Sequence, residues 1–245
     1  GGNSASSGDF SASSGSLSFA QGETSKTFTV QTTHDTLFEG NETFTVTLSG
    51  ATAGATVSAT QGAATGTIVD NDGTPTITHV GDGSINNVTV AEGTAALFTV
   101  NLSNASSTAT AFALTLANGS ATAPGDYTNA LSDASFSNGV TISGGTITVP
   151  AGVTSFTVTV PSVNDTLYET SEDFTLSVGG VSGTGTITDN DAAPVFSVAD
   201  ASISEGGLMS FTVTRTGDAQ AAQSVNFATS IAGGNSASSG DFSAR

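Results

Sequence analysis

Carboxylates are the side chains of this sequence that recur in a pattern able to do chemistry. Asp35-Thr36-Leu37-Phe38-Glu39-Gly40-Asn41-Glu42 is answered by Asp165-Thr166-Leu167-Tyr168-Glu169-Thr170-Ser171-Glu172. Gly66-Thr67-Ile68-Val69-Asp70-Asn71-Asp72 is answered by Gly185-Thr186-Ile187-Thr188-Asp189-Asn190-Asp191. Glu92-Gly93 matches Glu205-Gly206, and Asp126 before Tyr127 matches Asp9 and Asp241, each of which precedes a Phe. In all, 15 of the 21 Asp and Glu residues occupy these repeated positions, against 3 Lys and Arg and a formal net charge of −18. A surplus gathered in this way needs cations, and ligands that are all oxygen suit hard ones.

The same residue counts exclude other chemistries. With no cysteine there is no disulfide, no thiolate metal site and no cysteine nucleophile. The only histidines are His34 and His79, and His34 is replaced by Asn164 in the matching phrase, which is the behaviour of a loop residue and not of a general base. Neither G-x-S-x-G nor G-x-x-x-x-G-K-[ST] occurs, and the nonapeptide G-G-x-G-x-D of calcium-bound β-helices is missing. Asp70-x-Asp72-Gly73 opens like an EF-hand loop but does not complete one. Too few basic residues exist to neutralise a phosphate backbone, and no apolar run reaches the ~18 residues of a membrane span. No enzyme activity is expected.

The positions of these acids are set by repeats. Residues 1–12, GGNSASSGDFSA, recur unchanged at 233–244, a period of 232 residues, so the chain reads as one period of a longer tandem repeat. Within that period two diverged copies of one domain alternate. Residues 73–191 form a whole copy; 192–245 hold the first part of the other copy and 1–72 its last part. Apolar residues alternate over short stretches, as in Phe44/Val46/Leu48, Phe156/Val158/Val160, Phe174/Leu176/Val178 and Phe211/Val213, with Thr between them. That is the period of half-buried strands. About seven antiparallel strands per copy, punctuated by Gly, Asn, Asp and Ser, predict an all-β fold of tandem immunoglobulin-like sandwiches. Most of the 14 Phe lie in the strand pattern and belong to the core; the absence of Trp weakens a sugar-stacking role.

The order Glu-Gly, Gly-Asp-Phe/Tyr, Asp-Thr-Leu-x-Glu-x-x-Glu-x-Phe and Gly-Thr-Ile-x-Asp-Asn-Asp resembles the Calx-beta domain, the calcium-binding sandwich of sodium–calcium exchangers. The resemblance covers nearly the whole chain and implies long arrays in bacterial surface proteins. It implies Ca2+ held by Glu92, Asp126, Asp165, Glu169, Asp189 and Asp191 in the whole copy. In the divided copy the set is Glu205, Asp241, Asp9, Asp35, Glu39, Asp70 and Asp72. Loops meeting at one end of a sandwich can deliver the six to eight oxygens that calcium takes. Asn71 and Asn190 interrupt the acidic run, so fewer ions or weaker sites are expected than in the richest members. Asp-Asn-Asp also reads as an Asx-turn without any ion, and Glu42 and Glu172 read as solvated loop charges.

The expected role is a calcium-stabilised structural repeat in an extracellular bacterial adhesin or matrix fibre, with calcium and further copies of the chain as partners, no nucleic acid, no membrane insertion, and a surface ligand that the sequence does not specify. Residues 192–245 would pair head to tail with 1–72 of the next repeat, or within one chain if the array is continuous. The alternatives are an adhesive domain that contacts sugar or protein through the loop 129–143, and a calcium sensor that changes shape.

Overall fold

The computed structural model describes residues 3–83, 86–230 and 240–241. Two sheets face each other across residues 77–188. The smaller has the strand order Ile77–Gly81, Ala96–Leu102, Ser155–Val160, Ser135–Phe136. The larger has the order Asn87–Ala91, Val181–Thr188, Glu172–Val178, Thr110–Asn118, Thr146–Val149, Thr141–Ser143. Alternation does what it predicts: in Ser155–Val160 the residues Phe156, Val158 and Val160 are buried while the Thr and Ser between them are half-exposed. Phe98 of one sheet meets Phe174 of the other edge-on, ring centroids 6.0 Å apart, and Tyr127 stacks on Phe174 at 4.5 Å. These three rings are the centre of the core.

Two glycines of the repeated motifs have steric reasons. A Cβ on Gly185 would fall onto the ring of Phe174 across the strand pair, so the Gly of Gly-Thr-Ile makes room for the aromatic that follows Glu172. Gly93 has φ +74°, and a Cβ there would lie 2.9 Å from the Cβ of Asn164, which explains the Gly after Glu92.

Two features depart from the sequence reading. Asn87–Ala91 runs parallel to Val181–Thr188, not antiparallel. The reason is that Ile77–Gly81 lies on one sheet and Asn87–Ala91 on the other, so the chain changes sheet without reversing direction. Residues 129–143 are also not a free loop. Ser135–Phe136 pairs with Ser155–Val160 and Thr141–Ser143 pairs with Thr146–Val149, so the insertion extends both sheets.

Residues 3–72 and 192–230 carry separate pieces of the same design. Glu42–Thr47 pairs with Ala63–Ile68 as Glu172–Val178 does with Val181–Thr188, and Phe10 stacks on Phe44 at 4.6 Å as Tyr127 does on Phe174. Val195–Val198 pairs with Val213–Thr216 as Ile77–Gly81 does with Ala96–Leu102. Among the described residues the two pieces share no strand pairing.

Candidate metal centre

Each acidic group is placed by an element whose other residues are committed to the core. Tyr127 is fully buried and its hydroxyl donates to Asn118 Oδ1 at 2.6 Å, so the residue before it, Asp126, is held at the sandwich tip. The Asp126 carboxylate accepts the backbone N–H of Thr122 at 2.6 Å. Glu92 ends the strand Asn87–Ala91 and donates its own N–H to the carbonyl of Thr188 at 3.0 Å. Asp189 folds an Asx-turn: Oδ1 accepts the N–H of Asp191 at 2.9 Å and Oδ2 accepts the N–H of Glu169 at 3.1 Å. Asn190 has its own task. Its amide donates to the carbonyl of Glu92 at 3.1 Å and to Asn164 Oδ1 at 2.9 Å, tying three loops together where an aspartate would only add repulsion.

Two clusters result in the whole copy. Ligand oxygens of Glu92, Asp189 and Asp191 lie within 4.8 Å of one another, and so do those of Asp126, Glu169 and Glu172. A third cluster joins Asp9, Glu39 and Glu42 in the divided copy. Asp70 repeats the Asx-turn there: Oδ1 accepts from Asp72 N–H, and Oδ2 from the N–H groups of Glu39 and Gly40, all at 3.0 Å. Asp35, Asp70 and Asp72 line the same open hollow as Asp9, Glu39 and Glu42. Asp35 and Asp165 each accept the N–H two residues on, from Leu37 at 2.9 Å and Leu167 at 2.7 Å, and among the described residues belong to no three-ligand cluster. Glu205 and Asp241 are exposed and join no cluster among the described residues.

The reading of Glu42 and Glu172 as solvated charges is corrected. They are only 9% and 7% exposed, and each completes a cluster. Their position explains it: Glu42 and Glu172 stand two residues before Phe44 and Phe174, on the inward face of the same strand. Alternation from the core phenylalanines would have found them.

The clusters are strained without a cation. Glu92 Oε1 accepts the N–H of Asp165 at 3.2 Å, but Glu92 Oε2 is buried with no partner, as is Asp191 Oδ2. Among the described residues Lys26 pairs with Glu23 and Arg215 with Asp218, so no Lys or Arg neutralises a cluster. Unpaired buried carboxylates are costly, and the groups respond by holding their protons. Burial, then the charges of Glu172 and Asp126, push Glu169 up to about 7. Burial and then Asp9 push Glu42 up to about 6. Burial also raises Glu92, with Asp165, Asp191 and Asp189 adding to it while the Asp165 N–H opposes. Asp70 moves the other way because three or more backbone N–H groups donate to it. An all-oxygen, anionic, partly buried and unsatisfied donor set fits a hard divalent ion.

A pH dependence follows. Glu169 and Glu42 bind protons more tightly folded than unfolded, so their contribution to stability is complete below about 4.5 and is lost as pH rises through about 6 to 7. Thermal unfolding in EDTA is expected at a higher temperature at pH 5 than at pH 8. With saturating calcium that slope flattens, because the ion replaces the protons. A midpoint in EDTA that rises with pH over this range would contradict the assignment.

The neighbouring unit also reaches the site. Leu167–Tyr168 pairs in parallel with Asp218–Ala219, the carbonyl of Tyr168 accepts the N–H of Gln220 at 3.1 Å, and Gln220 Nε2 donates to Glu169 Oε1 at 2.9 Å and Glu172 Oε1 at 3.1 Å. At the other joint Phe38, which matches Tyr168, donates to Ala105 at 3.0 Å and accepts from Ser107 at 2.9 Å. Residues 105–107 match 218–220, counted from the aligned Phe98 and Phe211. The two joints are built alike. Gln220 is a site neighbour that the sequence analysis did not single out, since nothing local marks it.

The chain is a two-sheet β-sandwich module whose carboxylate oxygens converge at one tip. The Calx-beta domain profile matches residues 2–72, 82–186 and 189–244, and the chain belongs to the Calx-beta domain family. Among solved structures it is similar to the apo-form Calx CBD1 domain, at 17% identity and TM-score 0.37 over 48% of this chain and 98% of that one. It is also similar to the calcium binding domain CBD12 of CALX1.1, at 20% identity and TM-score 0.37 over 55% and 54%. Domains 4 and 5 of the S-layer protein SbsC match at 18% identity and TM-score 0.28 over 52% of each chain. No curated protein matches the chain.

Proposed function

We propose that this chain is a non-catalytic structural repeat of an extracellular bacterial adhesin or matrix fibre, divided at 1–72, 73–191 and 192–245 and stiffened by calcium at the tips of its sandwiches. The observation that carries the calcium reading is the pair of buried oxygens without partners, Glu92 Oε2 and Asp191 Oδ2, inside a carboxylate cluster that among the described residues is paired with no Lys or Arg. Glu92, Asp189 and Asp191 would hold one ion, and Asp126, Glu169 and Glu172 a second. The ion supplies the positive charge these groups lack; the protein's part is to bring three loops to one point. Like construction of the two joints supports a spacer, because repeated units then meet in one way. An outside location suits sites whose acidic runs are broken by Asn, since extracellular modules work at calcium concentrations of about 10⁻⁴–10⁻³ M. Head-to-tail pairing of 192–245 with 1–72 of another copy extends the spacer into a fibre.

The test is thermal unfolding in calcium and in EDTA, with magnesium as a comparison. An ion at about 100 times its Kd adds about 2.7 kcal/mol. For a unit of this size that corresponds to a midpoint roughly 10–20 °C higher. Equal midpoints in calcium and EDTA would remove calcium from the account.

A further inference from the structure

We propose that Asn104 locks the joint between residues 3–72 and the whole copy, so that this joint keeps one angle with or without a bound ion. The inference goes beyond the calcium reading and stands without it.

The linker at this joint is short and its residues are committed. Asp72 donates its N–H to Asp70 Oδ1 at 3.0 Å and so belongs to the unit before, while Ile77 opens the first strand of the whole copy. Of the residues between, Pro75 is buried and its ring fixes φ. Thr76 donates its N–H to Ser103 Oγ at 3.1 Å, and its carbonyl accepts the N–H of Ser103 at 2.9 Å. Gly73 is the residue of the linker with the widest choice of backbone angles. Asn104 holds it: Nδ2 donates to the carbonyl of Gly73 at 2.9 Å.

The same amide reaches a second point of attachment. Nδ2 also donates to the carbonyl of Ala105 at 3.2 Å, and that carbonyl accepts the N–H of Phe38 at 3.0 Å. Oδ1 accepts the hydroxyl of Ser103 at 2.6 Å. Ser106 is only 5% exposed and its carbonyl accepts the N–H of Gly152 at 2.8 Å, which anchors the loop 103–107 in the whole copy. That loop therefore grips the preceding unit at Gly73 and at Phe38, and one side chain touches both grips. A single grip is a swivel; two grips on one anchored loop leave at most the axis through them. The donors and acceptors of the lock are amides, hydroxyls and backbone groups, all neutral, so filling or emptying the acidic clusters does not change their charge.

The other joint is secured differently. Counted from Phe98 and Phe211, the residue that matches Asn104 is Gly217, at φ +84°, and a Cβ there would lie 3.3 Å from the Cα of Pro194 in the linker. A side chain at that position is strained by φ and crowded by the linker. That joint rests instead on Gln220, which donates to Glu169 and Glu172.

The test measures distances between pairs of nitroxide labels, by pulsed electron spin resonance, in the full chain diluted with unlabelled chain. With no native cysteine, only introduced ones react. Thr45→Cys with Ala113→Cys spans the joint at 73–76, and Thr89→Cys with Thr214→Cys spans the other; all four are exposed strand positions. Across 73–76 the otherwise unaltered chain is expected to give one narrow distribution, alike in calcium and in EDTA. Asn104→Asp keeps the acceptor for Ser103 and loses the donor to Gly73. It is expected to raise the share of displaced distances about fivefold, the fold-change of one net hydrogen bond, and to leave the other pair as it was. Asn104→Gly, which copies the matching position, is the second variant, and thermal unfolding of the 82–186 unit reports that both are folded. A distribution that stays narrow in both variants, one that broadens equally at the other joint, or one that in the unaltered chain is narrow in calcium and broad in EDTA overturns the proposal. A failure of the calcium reading is seen apart, as equal unfolding midpoints with and without the ion, and leaves the expected distances as they are.

Discussion

In calcium, Glu92→Gln is expected to unfold at a lower temperature than the unaltered chain; in EDTA, at a higher one. The crossing follows from what Glu92 touches. Oε1 accepts the N–H of Asp165, and a glutamine carbonyl keeps that bond. Oε2 is buried without a partner beside Asp189 and Asp191, and an amide there becomes a donor facing two carboxylates. Relieving a buried unpaired charge stabilises the ion-free state by about 1 kcal/mol or more. The same change removes an anionic ligand, and calcium affinity is expected to fall about 100-fold, equivalent to about 2.7 kcal/mol. Calorimetric titration reads the affinity and two thermal scans read the crossing. Were the variant weaker in EDTA with its titration unaltered, Glu92 would be a hydrogen-bonding strut and nothing more.

Asp189→Ala is expected to cost most. Its carboxylate accepts from Asp191 and Glu169, and losing both bonds opens the turn that sets the tip. Hydrogen bonds to a charged group contribute about 1.5–3 kcal/mol each, and water reaching this partly buried turn recovers some, leaving roughly 2 kcal/mol. Loss of the ion adds about 2.7 kcal/mol in calcium. The total, about 4–5 kcal/mol, places the midpoint of the 82–186 unit roughly 20 °C or more lower. Asp189→Asn keeps a carbonyl for the turn and is expected to recover part of the loss in EDTA but little in calcium. If both substitutions shift the midpoint by less than about 4 °C, the turn is dispensable.

Much of this was readable before any coordinates, because the motifs bind acids to core residues. Asp126 precedes a buried aromatic, and Asp9 precedes one that stacks on Phe44; the Gly of Gly-Thr-Ile clears space for a ring. Glu42 and Glu172 were misjudged because their chemical type outweighed their parity: a charged residue at an inward position was read as loop when the strand had already begun. The direction of Asn87–Ala91 could not be read, since alternation specifies faces and not the sense of pairing. Two-residue strands such as Ser135–Phe136 leave no period to detect. Gln220 lies 48 and 51 residues from the glutamates it bonds, and only the joint between units brings them together.

That joint has a mechanical meaning. A parallel bridge of two residues at Leu167–Tyr168 and of one at Phe38 links each unit to its neighbour, whereas Glu172–Val178 and Val181–Thr188 are laced over seven residue pairs. Tension drawn along such a string meets the short bridges first, so the links give a small, recoverable extension at low force while the sandwiches keep their shape. Gln220 joins this bridge to Glu169 and Glu172, so the joint and the acidic cluster share the same hydrogen bonds.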